Sequence, residues 1–276
     1  MHWQTSRFDI DLSLPRVMGI VNVTPDSFSD GGKHAGTSAA LRHCEQLLAE
    51  GAHMLDIGGE STRPGSPSVP LEDELARVLP VVREAVRLGA PLSVDTYKPE
   101  VMRAVLDVGA DIVNDIWALR REGAQAVVAA HPRCGVCLMH MHRDPQTMQV
   151  APMEGDVLAQ VAAFLQERSD ELLAQGVARE RIVLDPGIGF GKTVAQNFNL
   201  LARQGELLAS GFAWLAGWSR KSSLGHVTGR ENPKDRVAAS VAAAVLAVDR
   251  GARVVRVHDV RETVDALQVW QAMRTA

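Results

Sequence analysis

The sequence predicts a (β/α)8 barrel of the TIM type, formed as a single domain. The chain has 276 residues, a length at which one α/β barrel is common. Short apolar runs rich in Val and Ile recur eight times, and each is followed by turn residues and a longer helical pattern. This regular alternation of strand and helix is typical of a closed parallel sheet surrounded by helices.

The eight predicted strands are short apolar runs bounded by turn residues. In chain order they are VMGIVNV (from Val17), MLDIGG (from Met54), PLSVDT (from Pro91), DIVNDI (from Asp111), GVCLMHM (from Gly135), RIVLDPG (from Arg181), FAWLAGW (from Phe212) and RVVRVHD (from Arg253). Residues 1–16 precede the first strand, and we expect this extension to cover the floor of the barrel.

The eight predicted helices lie at residues 38–50, 71–88, 99–108, 123–130, 155–175, 195–209, 233–249 and 261–273. Six of them are followed by a glycine before the next strand: Gly51, Gly89, Gly109, Gly176, Gly211 and Gly251. Glycine is favoured at helix C-caps because it tolerates left-handed backbone geometry. These positions therefore mark predicted helix ends.

The charge and the pattern of apolar residues argue against a nucleic-acid-binding, secreted or membrane protein. The formal net charge is −4, without the basic footprint that is usual in nucleic-acid binders, so we expect a small-molecule partner and no nucleic acid. The N-terminus lacks secretory and transit patterns. The longest apolar run, residues 237–248, is too short to span a bilayer. We therefore expect a cytoplasmic protein with no membrane association.

Three cysteines, an odd number, argue against a disulfide framework. Cys134 and Cys137 form a CxxC that is followed by His140 and His142, which leaves a zinc cluster open as an alternative. Side chains alternate along a strand, so the two thiols would point to opposite faces. We favour packing in the core for both.

The segment DPGIGFGKT, residues 185–193, ends like a phosphate-binding loop but lacks its spacing. A Walker loop requires glycine at position 186, where the chain has Pro186. Its three glycines alternate along the chain, unlike those of the dinucleotide-binding GxGxxG motif. We expect Lys192 to be a solvent-facing residue at the start of a helix.

Polar residues recur where the predicted strands end, which is where barrel enzymes place their active sites. Four of them suit a planar heterocycle with N–H donors: Asp95, Asn114, Asp185 and Lys221. Four others suit an anion such as phosphate: Asn22, Arg63, Arg256 and His258. Any one alone could be an N-cap or a turn former. Together they predict a substrate with a flat polar ring joined to phosphate.

Two long loops follow the first and second predicted strands. NVTPDSFSDGGKHAGTS carries Phe28, and GGESTRPGSPSVP carries Arg63. Both are rich in turn formers, which fits a flexible surface loop as well as a lid that orders over substrate. Their length and position favour lids modestly.

Seven motifs, in order and over nearly the whole chain, resemble those of the bacterial dihydropteroate synthase family. They are GIVNVTPDSFSDGG, DIGGESTRPG, SVDTYKPEV, VNDI, LDPGIGFGKT, GWSRKSSLG and RVHDV. The resemblance implies condensation of 6-hydroxymethyl-7,8-dihydropterin diphosphate with 4-aminobenzoate, giving 7,8-dihydropteroate and diphosphate in folate synthesis. It also implies a homodimer and inhibition by sulfonamides.

The resemblance further implies roles for individual residues. Pterin would be held by Asp95, Asn114, Asp185, Phe190 and Lys221. Diphosphate would be held by Asn22, Arg63, Arg256 and His258, with Mg²⁺ at Asn22. The 4-aminobenzoate pocket would comprise Phe28, Thr62, Pro64, Phe190, Lys221 and Ser222. The catalytic residues would be Asp95, Arg63, Lys221 and Arg256.

Two alternatives share the barrel and the pterin pocket. A methyltransferase that uses methyltetrahydrofolate has no use for a diphosphate site or for the NVTPDSFSDGG loop, and both are intact in this sequence. A silent barrel that only binds pterin would be expected to have lost Arg63, Lys221 or Arg256, and the chain keeps all three. The sequence therefore favours the synthase.

Overall fold

The barrel strands pair in parallel in a closed ring. A computed structural model of the chain describes residues 1–24, 32–61, 65–144, 146–148 and 150–276. The barrel strands are β3 (Arg16–Asn22), β4 (Met54–Gly58), β5 (Leu92–Asp95), β6 (Ile112–Asp115), β7 (Gly135–Met139), β8 (Ile182–Asp185), β9 (Ala213–Ala216) and β10 (Val254–Val257). They neighbour one another in chain order, and β10 closes the ring against β3. The predicted (β/α)8 barrel is confirmed.

Helices follow the barrel strands along the described chain. They are α1 (Gly32–Ala49), α2 (Leu71–Ala85), α3 (Pro99–Asp107), α4 (Ala124–Ala130), α5 (Val157–Ala174), α6 (Val194–Arg203), α7 (Ser222–Thr228), α8 (Val237–Asp249) and α9 (Val260–Thr275). All six predicted C-cap glycines have positive φ, for example 100° at Gly51 and 96° at Gly251. Within these residues, no helix is both long and apolar enough to cross a lipid bilayer.

The structure corrects several predicted helix bounds. Three predicted helices include a turn of 3₁₀ helix: Val86–Leu88, Gln204–Ser210 and Pro233–Arg236. The seven-residue helix α7 was not predicted at all. Helix α6 starts at a capping box, in which the Thr193 and Gln196 side chains each bond the other's backbone N–H. This cap sets where the glycine-rich segment ends.

Alternation along the barrel strands separates an outer core from an inner one. In β4, Leu55 and Ile57 pack with the helices, whereas Met54 lies inside the barrel. The inner cluster occupies the amino-terminal half of the barrel and contains these strand residues: Met18, Met54, Ile112, Cys137, Val183, Ala213, Leu215 and Val254. The lower half of the interior is thus apolar.

An N-terminal hairpin packs against the lower end of the barrel. Its strands are β1 (His2–Gln4) and β2 (Asp9–Asp11), which pair antiparallel. Trp3 is fully buried in the inner cluster, and its indole N–H donates to the Arg181 carbonyl at 3.0 Å. Arg7 pairs with the buried carboxylate of Asp111, with Nη2 and Oδ2 2.6 Å apart. The extension therefore lies across the amino-terminal ends of the strands.

The two cysteines of the CxxC face opposite sides of the sheet. Cys134 belongs to the outer core and Cys137 to the inner cluster, and both are fully buried. Burial raises the pKa of each thiol above its usual range. The prediction that both cysteines pack in the core is confirmed. No group of three or more His, Cys, Asp or Glu side chains suited to a metal ion occurs in the part of the chain that the structure describes.

Candidate active site

The upper half of the barrel interior is polar. Alternation along the strands brings six polar side chains to inward positions near the carboxyl ends of the strands: Asn22, Asp56, Asp95, Asn114, Asp185 and Arg256. Parallel strands of a barrel converge at this end, so side chains from β3, β4, β5, β6, β8 and β10 share one space. The neighbouring Asp115 has a different role, since it accepts the backbone N–H groups of Trp117 and Leu119 in the following turn.

Arg256 lies at the centre of this polar cluster. Its Nε donates to Asp56 Oδ2 at 2.6 Å, and its Nη2 donates to Asp95 Oδ2 at 2.9 Å. Asn114 Nδ2 donates to the same Asp56 oxygen at 3.1 Å. By sequence, Arg256 is grouped with the residues that suit an anion, the anion half of the site. Asp95 is grouped with those that suit a planar heterocycle, the heterocycle half. The structure instead brings the two into contact, so Arg256 lies between the halves.

Burial dominates the electrostatics of the cluster. Burial raises the pKa of Asp95, the Arg256 guanidinium opposes that rise, and the Asp56 carboxylate adds to it. Burial alone would lower the pKa of Arg256, but Asp56 and Asp95 together hold it above its ordinary value. Arg256 is therefore a permanent cation, whereas Asp95 is a carboxylate whose charge is sensitive to its surroundings.

Asp185, Phe190 and Lys221 form the opposite side of the site. Asp185 Oδ1 accepts the backbone N–H of Gly187 at 2.7 Å. Burial raises the pKa of Asp185, and this bond together with Lys221, Lys192 and Arg256 opposes the rise. Lys221 Nζ lies over the Phe190 ring, 4.2 Å from its centroid. Two predicted pterin contacts, Phe190 and Lys221, therefore touch each other.

The loops after β9 and β10 are held together by hydrogen bonds. Ser219 Oγ lies 3.0 Å from His258 Nδ1 and accepts the His258 backbone N–H at 3.1 Å. The Arg220 guanidinium pairs with the Asp259 carboxylate, and Arg220 itself has a positive φ of 58°. Ser222 begins α7 and is exposed. The contacts of Ser219 and Arg220 fix the backbone just before Lys221.

The anion half is described only in part. Asn22 ends β3 and is half-buried at the mouth of the barrel. Four predicted site residues lie outside the described residues: Phe28, Thr62, Arg63 and Pro64. Those four therefore remain predictions from the sequence.

The structure corrects the predicted location of Lys192. It was expected at the surface, but it is only 2% exposed. Its Nζ lies 2.9 Å from both His140 Nδ1 and the Gly187 carbonyl oxygen. The loop after β8 supplies two of the acceptors of this buried lysine, the Gly187 and Phe190 carbonyls. Neither Lys192 nor Asp56 was among the predicted site residues, although the Asp56 carboxyl interrupts the apolar run MLDIG.

Comparison with known proteins identifies the family. A family model described as "Pterin binding enzyme" matches residues 18–258. The dihydropteroate synthase of Neisseria meningitidis serogroup B is 51% identical over 276 residues, covering 98% of this chain and 97% of that protein.

Solved structures agree with the sequence match. Xanthomonas albilineans dihydropteroate synthase with 4-aminobenzoic acid is 53% identical, covers 97% of this chain and 96% of that one, and superposes with a TM-score of 0.92. Burkholderia cenocepacia dihydropteroate synthase complexed with 7,8-dihydropteroate is 51% identical, covers 99% of this chain and 96% of that one, and gives a TM-score of 0.90. The chain belongs to the dihydropteroate synthase family of pterin-binding enzymes.

Proposed function

We propose that the chain condenses 6-hydroxymethyl-7,8-dihydropterin diphosphate with 4-aminobenzoate, giving 7,8-dihydropteroate and diphosphate. One observation carries the proposal: buried hydrogen-bond acceptors and one permanent cation meet at the carboxyl ends of the strands, where Arg256 joins Asp56 and Asp95. The relatives support the choice of substrates, since one was solved with 4-aminobenzoic acid and another with 7,8-dihydropteroate. They favour a synthase over the pterin-binding methyltransferase.

The heterocycle half is proposed to bind and orient the pterin. Asp185, Asn114 and Asp95 offer acceptors to ring N–H groups, and Lys221 donates to a ring nitrogen or carbonyl. The bond between the methylene carbon and the diphosphate oxygen breaks, leaving a cation that the electron-rich ring stabilises. The carboxylate of Asp95 offsets that positive charge in a site with little water.

Bond formation then needs positioning more than activation. The amine of 4-aminobenzoate attacks the methylene carbon with its own lone pair and afterwards loses a proton, so no side-chain nucleophile is required. We propose that Phe28, Thr62, Pro64, Phe190, Lys221 and Ser222 hold this substrate. Orienting two bound reactants in this way replaces a bimolecular encounter.

The departing diphosphate is proposed to be held by Asn22, Arg63, Arg256 and His258. The Asn22 side chain fits a Mg²⁺ ion because its carboxamide oxygen is a hard donor, and Mg²⁺ keeps several waters and phosphate oxygens as its other ligands. When bound, the ion would neutralise charge on the departing group. Arg256 would serve both halves, because it already touches Asp95.

A cytoplasmic homodimer is part of the proposal. Apolar side chains are exposed on the last three helices: Val227 (56%), Leu246 (44%), Val269 (72%) and Met273 (62%). Apolar surface of this kind supports association with a second copy. Sedimentation analysis of the purified protein tests it, and a monomer at micromolar concentration would contradict it.

The activity is tested by mixing the protein with the pterin diphosphate, 4-aminobenzoate and Mg²⁺, and measuring dihydropteroate together with released diphosphate. Equal amounts of both are expected. Folded protein that forms neither product would overturn the proposed function. Methyl transfer from methyltetrahydrofolate under matched conditions would support the alternative.

Sulfonamides are expected to inhibit the reaction, because the proposed 4-aminobenzoate pocket also accepts them. Sulfamethoxazole should raise the apparent KM for 4-aminobenzoate while leaving kcat unchanged. Initial rates at several drug concentrations measure this. Turnover that is indifferent to high drug concentrations would count against the prediction.

A further inference from the structure

Lys192 places a buried ammonium group against the loop that follows β8. Four acceptors surround its Nζ: His140 Nδ1 at 2.9 Å, the Gly187 carbonyl at 2.9 Å, the Phe190 carbonyl at 3.2 Å and the His140 carbonyl at 3.4 Å. An ammonium group has three N–H donors, so these acceptors can satisfy all of them. All four acceptors are uncharged. The lysine therefore links neighbouring backbone segments through hydrogen bonds and is not half of an ion pair.

The segments that Lys192 links by hydrogen bonds come from two different barrel units. Residues 186–191 follow β8, and residues 140–142 follow β7. They approach so closely that a Cβ at Gly187 would lie 1.8 Å from the His140 carbonyl oxygen, and one at Gly191 would lie 2.5 Å from His142 Cβ. Both glycines have positive φ, 67° and 72°. Close approach of this kind fixes the position of the loop, and Lys192 forms hydrogen bonds with both segments.

The same loop carries two predicted substrate contacts. The Gly187 N–H bonds Asp185 Oδ1 at 2.7 Å, and the Phe190 ring lies against Lys221. Lys192 also accepts at its own carbonyl from Asn197 Nδ2 at 3.3 Å, and that amide reaches Ser223 Oγ at 3.0 Å. A displacement at Lys192 would therefore move both Asp185 and Phe190.

We propose that Lys192 is a positioning residue for the reaction. Its ammonium group forms hydrogen bonds with Gly187, Phe190 and His140. These bonds set the positions at which Asp185 and Phe190 contact the pterin. The proposal rests on the proposed function. Lys192 does not touch the reacting atoms, so it acts through the loop alone.

The charge of the Lys192 side chain is sensitive to pH. Burial lowers the pKa of Lys192 to about 7, Asp185 opposes this change, and Lys221 adds to it. Burial and the nearby Lys192 lower the pKa of His140 to about 2, so its ring stays neutral and accepts through Nδ1. His142, beyond the loop, also has a lowered pKa, first through burial. Near neutral pH the lysine changes charge, whereas the His140 ring stays neutral.

The test compares Lys192→Met, which keeps the stem but has no donor, with Lys192→Arg, which keeps charge and donors. Lys234→Met, at an exposed lysine, is the matched control. At about pH 6, kcat/KM for the pterin diphosphate should fall at least roughly tenfold in the Met variant, which corresponds to about 1.4 kcal/mol. The Arg variant should retain more activity than the Met variant, and the control should match wild type.

A pH profile separates positioning from a merely structural role. The protonated lysine is the form that has all three N–H donors. The kcat/KM of wild type divided by that of Lys192→Met should therefore decrease as pH rises from about 6 to about 9. In the wild-type chain, the ¹³Cε resonance of Lys192 should titrate in the same range. A ratio that is constant with pH, or a Met variant as active as wild type, would overturn the inference. Absence of product from wild type itself would instead overturn the proposed function.

Discussion

Asp56 is the residue that organises the charge of the site. It is fully buried in the middle of β4, and one of its oxygens accepts from both Arg256 and Asn114. The aspartate thus positions a cation and an amide that come from strands on either side of it. Breaking a buried pair leaves its partner without compensation, so the choice of residue at position 56 affects the whole cluster.

Asp56→Asn should move the acid limb of the pH profile to lower pH. The Asp56 charge raises the pKa of Asp95, so removing it lowers that pKa and keeps Asp95 ionised in more acidic solution. The variant should also lose roughly tenfold in kcat/KM, because a charge-assisted bond to Arg256 is weakened. Profiles of kcat/KM against pH measure both effects, with Asp235→Asn at an exposed position as the control. An acid limb that does not move would contradict the coupling.

Lys192 should make stability rise with pH over the range in which its contribution to kcat/KM falls. Its folded pKa of about 7 lies below the ordinary value of 10.5, so the unfolded chain binds more protons between those two values. The free energy of unfolding should therefore increase by up to about 1.4 kcal/mol per pH unit across that window, and Lys192→Met should lack this contribution. Urea unfolding of both proteins at several pH values measures the difference. Parallel curves would contradict the depressed pKa.

At the scale of the element, the loop after β8 depends on glycine where it meets the segment after β7. Alanine at position 187 would need a positive φ and would collide with the His140 carbonyl. Gly187→Ala should therefore cost at least about 2 kcal/mol and weaken pterin binding. Gly205→Ala is the control, because its Cβ would meet nothing within 4 Å. Thermal unfolding and pterin titration measure both variants, and equal behaviour would refute the tight approach.

Elements with a long repeating pattern could be predicted from the sequence. The eight barrel strands and the helices between them follow from apolar runs and glycine caps. Helix α7 was missed because its seven residues, SSLGHVT, include a glycine and β-branched residues that weaken any helical signal. The hairpin strands span three residues each, too few to establish alternation. Short elements owe their conformation to what they pack against.

The site shows the same division. Asp95, Asn114, Asp185 and Arg256 could be predicted, because strand ends of a barrel meet in space whatever the register. The contact between Arg256 and Asp95 could not, since it depends on side chains from β5 and β10 meeting across the barrel interior. The burial of Lys192 was missed for a similar reason. A lysine is ordinarily exposed, and the acceptor His140 comes from another barrel unit.

At the scale of the whole molecule, the two ends of the barrel have separate tasks. The lower half is an apolar core completed by the hairpin, and the upper half carries the polar cluster. Trp3→Ala should cost about 3–5 kcal/mol by leaving a cavity in the inner cluster. The KM values for both substrates should stay unchanged, because Trp3 lies at the opposite end from the site. Urea unfolding and steady-state kinetics measure the two effects, and a shifted KM would show that the ends are coupled.

The packing of the hairpin also bears on the path of the substrates. With the lower end closed, a molecule must enter and leave through the rim formed by the loops after the strands. Asp185 and Asn114 lie inside the barrel and are almost fully buried, whereas Ser222 lies exposed at the rim. A ring bound to the inner residues must arrive before a second molecule covers it. We therefore expect the pterin to enter before 4-aminobenzoate, because the barrel is open at one end.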